Sequence, residues 1–383
     1  MPQGMKRASF YQIYSPFMRK ILLILSVASI SLFAQSCKKS KTEDTSIRVD
    51  PPVEQAKSFK NPLIDGADPF VAQKDGYYYF LSTRGGDIAI AKTRAMSKLA
   101  TAANKVVWTP AQNTEYSADI WAPELHFLSG KWYIYFAASQ SGVENSNRMF
   151  VLENGNADPT QGTWTFKGKI FDATNDQWAI DGSILTIGDK NYLIWSGWES
   201  VSERFKQLIY IAPMSNPWTL SGPRVPISTP TNVWEKYEPS SMGIGVNEGP
   251  IALQRDANSP LFVIFSASRY TSDNYCLAQI QLKEGGNPLV AADWINKKQV
   301  FGRSDNNGVY GPGHNGFFTS SKTDDKGGTQ TENWFIYHAR SVPNQPNAAR
   351  TSRMQKLTWN ADGSPEFGTA IGTNVAIPNP IGE

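Results

Sequence analysis

Five short aromatic-rich runs, each following a second apolar stretch across a turn, recur along this chain and leave it little choice of architecture. They are GYYYFLST (Gly76–Thr83), GKWYIYFAAS (Gly130–Ser139), KNYLIWSG (Lys190–Gly197), PLFVIFSAS (Pro260–Ser268) and NWFIYHA (Asn333–Ala339). Each mixes aromatic with β-branched residues and is preceded by turn formers, which is how a strand reads. The stretches before them are DPFVAQKDG, WAPELHFLSG, IDGSILTIGD, EGPIALQRDANS and GHNGFFTSSKTDDKGG, so the repeated unit is a hairpin. Amphipathic helical patterns are scarce. Units of this kind cannot bury both sheet faces alone, and stacking them as blades around an axis solves the problem. The expected fold is therefore all-β, a five-bladed β-propeller forming a single domain over 58–383. A two-sheet sandwich explains the period poorly.

The apolar stretches also carry polar groups where a buried strand should begin. WAIDGSIL places Asp181 inside an otherwise apolar run, although Asp is depleted in strands and rarely buried without a partner. Asp68, Glu124, Asp181, Glu248 and His314 head the five hairpins at steps of 56, 57, 67 and 66 residues. In a propeller, innermost strands start at one end of the axis, so these groups are expected to share one pocket. Like charges that close are costly unless paired, protonated or bound to a ligand or cation. Stability does not account for such an arrangement; chemistry does.

Cofactor-free hydrolysis of a glycosidic bond needs two carboxyl groups in different protonation states. One activates water and the other donates a proton to the leaving oxygen. A third carboxylate beside the acid raises its pKa and so has a physical task. Asp, with the shorter stem, suits a fixed base; Glu reaches farther and suits the acid. Composition agrees with a neutral ligand that has apolar faces, since charged residues make up 19% and there are 12 Trp. A β-rich core that uses aromatics reads equally well from those figures. Lys and Arg are scattered among acids, so nucleic acid is not an expected partner.

The N-terminal part has a separate meaning. Arg19-Lys20 precedes ILLILSVASISLFAQSC (Ile21–Cys37), a basic start, a short apolar core and small residues before Cys. It resembles a bacterial lipoprotein signal over 1–37, with Cys37 becoming the lipidated N-terminus. Residues 38–57 are polar and contain Pro, which fits a flexible tether. The expected location is the bacterial envelope, periplasmic or cell-surface, with the membrane reached only through that lipid; without lipidation the protein would be secreted. Cys276 is the other Cys and reads as a small buried strand residue.

The stretches GADPFV, DIWAPELH, WAIDGSIL, VNEGPIAL, GPGHNGFF and YHAR, in that order, resemble glycoside hydrolase family 43 from about Asn61 to Gly368. The resemblance implies a five-bladed propeller that inverts anomeric configuration. It implies Asp68 as base, Glu248 as acid and Asp181 as the Asp that tunes and orients the acid. Trp121 and Glu124 match a motif that walls the sugar pocket. Arg350 matches an Arg that hydrogen-bonds the terminal sugar, with Arg353 and Arg340 as competing candidates. His314 matches an axial His near a bound calcium or sodium ion or an ordered water; no cofactor is needed for the chemistry. His338, His126 and Asp65 are expected to be structural. WAPELHFLSGKWYIYFAAS, NRMFVL, YIAPMSNPW and YGPGHNGFF look most like exo-α-L-arabinofuranosidases acting on 1,5-linked arabinan, a plant cell-wall polysaccharide. An endo-arabinanase or β-xylosidase of the same family is the alternative. A surface glycan-binding propeller lipoprotein without catalysis is the alternative of another class.

Overall fold

A computed structural model describes residues 57–237, 244–345 and 349–383. The expected signal over 1–37, with Cys37, and the tether up to residue 56 lie outside the described residues. None of the described helices is long and apolar enough to cross a membrane.

Five antiparallel blades follow one another along the chain and form the five-bladed propeller. Blade I comprises strands Ala67–Lys74, Tyr77–Thr83, Ile88–Thr93 and Ala103–Trp108. Blade II comprises Ala118–Leu128, Lys131–Ser139, Arg148–Asn154 and Thr165–Ile170. Blade III runs from Ala179–Ile187 through Lys190–Gly197 and Lys206–Asn216 to Val225–Ser228. Blade IV runs from Gly245–Leu253 through Phe262–Ala267 and Cys276–Leu282 to Trp294–Phe301. Blade V has only Tyr310–Thr323, Thr329–Arg340 and Thr351–Trp359 from its own stretch of chain. Its fourth strand is Ile64–Asp65, borrowed from before blade I.

That borrowed strand closes the ring. Leu63 N–H donates to Ser352 O at 2.8 Å, and Gly66 N–H to Arg350 O at 3.2 Å. Asn61 stands in for one more backbone pair: its amide donates to Met354 O and its Oδ1 accepts from Met354 N–H, both at 3.0 Å. Asp65 belongs to this closure and does not line the axial cavity described below.

Between blades, the apolar faces interleave, with aromatics of one blade packed against the next. Trp132 and Tyr79 meet edge-on at 5.4 Å, and Phe301 of blade IV meets Phe335 of blade V at 5.1 Å. Cys276 is buried in its strand, as its neighbours suggest.

Every innermost strand contains the same irregularity. Its pairing with the second strand slips between Ala67 and Phe70, Trp121 and Glu124, Ile180 and Ser183, Glu248 and Ile251, and Gly313 and Gly316. In each case two residues bulge past one on the partner strand. The first bulged residue is left-handed in all five: Asp68 (φ 55°), Ala122 (φ 42°), Asp181 (φ 56°), Gly249 (φ 58°) and His314 (φ 51°). Only Gly249 adopts that conformation without strain; each of the others costs about 1–2 kcal/mol. Bulges re-aim side chains, and strain of this kind collects at functional sites.

The bulges correct the expected equivalence of the five polar residues. Asp68, Asp181 and His314 occupy one repeated position. Glu248 precedes its bulge by one residue, and Glu124 lies two beyond Ala122. Residue spacing alone could not distinguish these registers.

Candidate active site

The bulged ends of the innermost strands surround a cavity of about 390 Å³ on the propeller axis. Asp68, Asp181, Glu248, His314, Arg350 and Trp121 all line it. These residues come from all five blades and are brought together by nothing except the ring. Glu124 does not line the cavity. It is buried, its Oε2 lies 2.9 Å from His126 Nε2, and its Oε1 has no partner. Its expected place in the sugar pocket is therefore not where the fold puts it.

Asp68 is held as a carboxylate. Its Oδ2 accepts from Thr83 Oγ1 at 2.6 Å, and Arg350 Nη1 donates to Oδ1 at 3.2 Å. His314 Nδ1 lies 3.4 Å from the same Oδ1. Burial opposes the charge, but His314 and the Arg350 guanidinium hold the carboxyl well below the usual range. His338 itself is neutral: burial drives it down to about 3, and its Nδ1 accepts from the Asp68 backbone N–H at 3.1 Å. That bond fixes the Asp68 backbone in its left-handed turn, so the contact of the two side chains is not an ion pair. His338 was expected to be structural, and this is the structure it supports.

Asp181 and Glu248 behave oppositely to Asp68. Burial, then the charges of Glu248 and Asp68, push Asp181 well above the ordinary carboxyl value. Burial and Asp68 also raise Glu248, to about 7, against the pull of Tyr275, Arg350 and Arg269. The two interact strongly, so the pair retains a proton as pH approaches neutrality. Asp181 Oδ2 accepts from Gly249 N–H at 3.0 Å, and Gly249 directly follows Glu248. Asp181 thus fixes the backbone of the neighbouring acid. A Cβ at Gly249 would stand 3.2 Å from His314 Nδ1, so the axis is packed to its limit here.

The three arginines now separate. Arg350 enters the cavity with its guanidinium 4.7 Å over the Tyr270 ring. Arg340 donates to Tyr270 O at 3.1 Å and to Asp273 Oδ1 at 3.0 Å, holding the loop that carries Tyr270. Arg353 is fully buried and bonded to Thr351 and Ser341.

Several lining residues were not among the sequence candidates. Trp178 stacks on Trp198 at 4.7 Å and donates to Asn147 Oδ1 at 3.0 Å, presenting a fixed aromatic wall. Arg204, Gln207, Arg269 and Tyr270 reach the cavity from loops or strand ends. Trp178 stood beside Asp181 in WAIDGSIL and could have been found from that adjacency; the others lie outside any repeated motif.

The residues do not fit a protein-ligated cation near His314. Among the described residues no group of three or more His, Cys, Asp or Glu is arranged to hold a metal. His314 offers one imidazole, and burial lowers its pKa against the attraction of Asp68.

A carboxylate held ionised, facing a buried carboxyl pair that retains a proton, can activate water on one side of an acetal and protonate the other. Known proteins bear on which acetal. The sequence model of glycosyl hydrolases family 43 matches residues 59–365. The chain is 37% identical over 346 residues to an extracellular exo-α-(1→5)-L-arabinofuranosidase of Streptomyces avermitilis, covering 87% of this chain and 68% of that protein. It is 36% identical to a protein of the same name from Streptomyces chartreusis, covering 74% of this chain and 82% of the relative. In three dimensions it resembles an α-L-arabinofuranosidase of Lactobacillus brevis, at 33% identity and a TM-score of 0.72. That match covers 83% of this chain and 98% of the other. The chain belongs to glycosyl hydrolases family 43 and is a glycoside hydrolase acting on O-glycosyl bonds.

Proposed function

We propose that the protein is an inverting exo-α-L-arabinofuranosidase that releases L-arabinofuranose from 1,5-linked arabinan or its oligosaccharides. The observation that carries this reading is the split in protonation: Asp68 is held ionised while Asp181 and Glu248 keep a proton between them. The exo specificity takes its support from the names of the Streptomyces relatives.

In the single displacement, Asp68 takes a proton from the water that attacks the anomeric carbon. Glu248 gives its proton to the departing glycosidic oxygen as that bond breaks. Asp181 holds the Glu248 segment through Gly249 and opposes ionisation of the acid. Arg350 fixes Asp68 and offers its remaining donors to sugar hydroxyls, while Trp121 and Trp178 supply apolar walls. No step passes through an ion.

The test is product analysis on linear α-1,5-arabino-oligosaccharides. Arabinose alone, with each chain shortening by one unit, is expected, and NMR of early product should show the β anomer. A ladder of intermediate lengths would make the enzyme an endo-arabinanase. Retained α configuration would remove the single displacement. No cleavage would turn attention to xylosides, and binding without cleavage would favour a glycan-binding role.

The envelope location rests on Ile21–Cys37. We expect the protein made from the full reading frame to partition with membranes and to carry lipid at Cys37. A Cys37→Ser variant should appear in the soluble fraction. Unchanged membrane association of that variant would rule out the anchor.

A further inference from the structure

Behind Glu248 lies a phenol that the mechanism above does not use. Tyr275 is completely buried, immediately before the third strand of blade IV. Its ring lies parallel to His338, 5.5 Å away at 4°. The chain at Gly313 also packs against it, where a Cβ would come within 2.2 Å of the ring. A ring held this closely has little freedom to turn its hydroxyl elsewhere. That hydroxyl reaches the Glu248 carboxyl and Ser266 without closing a well-aligned bond to either, and is otherwise unpartnered. Ser266 already accepts from His314 N–H at 2.7 Å and faces Glu248 across the strand pair. A buried hydroxyl left so is destabilising, and Phe would fill the same space without it. Bonds at catalytic groups often tighten only when substrate is bound.

We propose that Tyr275 is the positioning residue of the proton donor, its hydroxyl orienting the Glu248 carboxyl and receiving the charge left when that proton departs. The inference rests on Glu248 being the acid. When Glu248 releases its proton to the leaving oxygen, the Tyr275 O–H donates to the new carboxylate, and no covalent bond of Tyr275 changes. The charged and titratable groups facing Glu248 are Asp68, Asp181, Arg350, Arg269 and Tyr275. Of these, Tyr275 is the neutral donor, and it favours the ionised carboxyl.

The test compares wild type with Tyr275→Phe across pH, on an unactivated arabino-oligosaccharide and on an aryl arabinofuranoside with an acidic phenol. Losing a donor to the ionised form raises the acid's pKa. The fall of kcat/KM at high pH should therefore move upward by about one pH unit. The rate on the oligosaccharide should drop about tenfold or more, with a smaller drop on the aryl substrate, which needs less proton donation. Gly313→Ala keeps the hydroxyl but drives a methyl into the ring, and should move the high-pH limb in the same direction. An unmoved limb in Tyr275→Phe, or equal losses on both substrates, would reduce Tyr275 to packing. Failure of the underlying reading looks different: the limb would then survive in Glu248→Gln with Tyr275 intact.

Discussion

Asp68→Asn should lower kcat on arabino-oligosaccharides by roughly 10²- to 10⁴-fold, with little change in KM or melting temperature. Asn keeps the size of Asp and can still accept from Thr83 Oγ1 and support the left-handed turn at φ 55°, a conformation Asn tolerates. It cannot take a proton. The effect should therefore fall on the chemical step and not on binding. Azide attacks without shedding a proton, so it should restore part of the lost rate and yield the β-arabinofuranosyl azide. A variant retaining more than a tenth of the wild-type kcat would remove Asp68 from the role of base. So would a large loss accompanied by an equally large rise in KM, because that pattern belongs to a residue that only binds.

Asp68 also illustrates how far the sequence could be read. Its identity as a candidate came from its place at the head of the first hairpin, from recurrence at blade spacing and from the match to the family motif. Those signals survive in sequence because the hairpin period is a property of chain length per blade. The partners of Asp68 were less accessible. Thr83 and His338 end second strands, one in the same blade and one four blades away, and nothing local marks them as neighbours. Arg350 could be named but not separated from Arg340 and Arg353. All three lie in or near two adjacent strands, and which one faces the axis depends on strand parity and local loop geometry.

Glu124 marks the other limit. It fits the motif and the period, yet a two-residue bulge at Ala122 and Pro123 carries it out of the cavity and against His126. A bulge changes the face of every following residue but leaves no regular trace in composition. The same device puts Asp68, Asp181 and His314 at one position, with Gly249 there in blade IV. The acid sits one residue earlier. Conversely, Arg204, Arg269 and Tyr270 come from irregular loops between the second and third strands of blades III and IV, where periodicity has nothing to say. The fold and three carboxyl groups were legible because they repeat. Trp121 and Arg350 were legible through their motifs, whereas Arg204, Arg269 and Tyr270 were not, because each is used once.

Glu248→Gln should divide substrates by leaving group, which makes it the sharper of the two large effects. On unactivated oligosaccharides the loss should be roughly 10²- to 10⁴-fold, because the alkoxide then departs without a proton. On an aryl arabinofuranoside with an acidic phenol the loss should be much smaller. The pH profiles carry the sign. Glu248 acts when protonated and its pKa is raised to about 7, so wild-type kcat/KM should fall as pH rises through that value. At low pH the limiting group is Asp68, held well below the usual carboxyl range, so that limb should lie in strong acid. Gln cannot ionise, so the high-pH limb should vanish in Glu248→Gln on the aryl substrate while the low-pH limb stays. Removing the Glu248 charge also relieves Asp181, whose raised pKa owes more to Glu248 than to Asp68. Asp181 should then ionise at lower pH without moving the rate. If a limb near neutrality persisted in the variant, the working proton would belong to Asp181, and the assignment of acid and tuning residue would have to be exchanged.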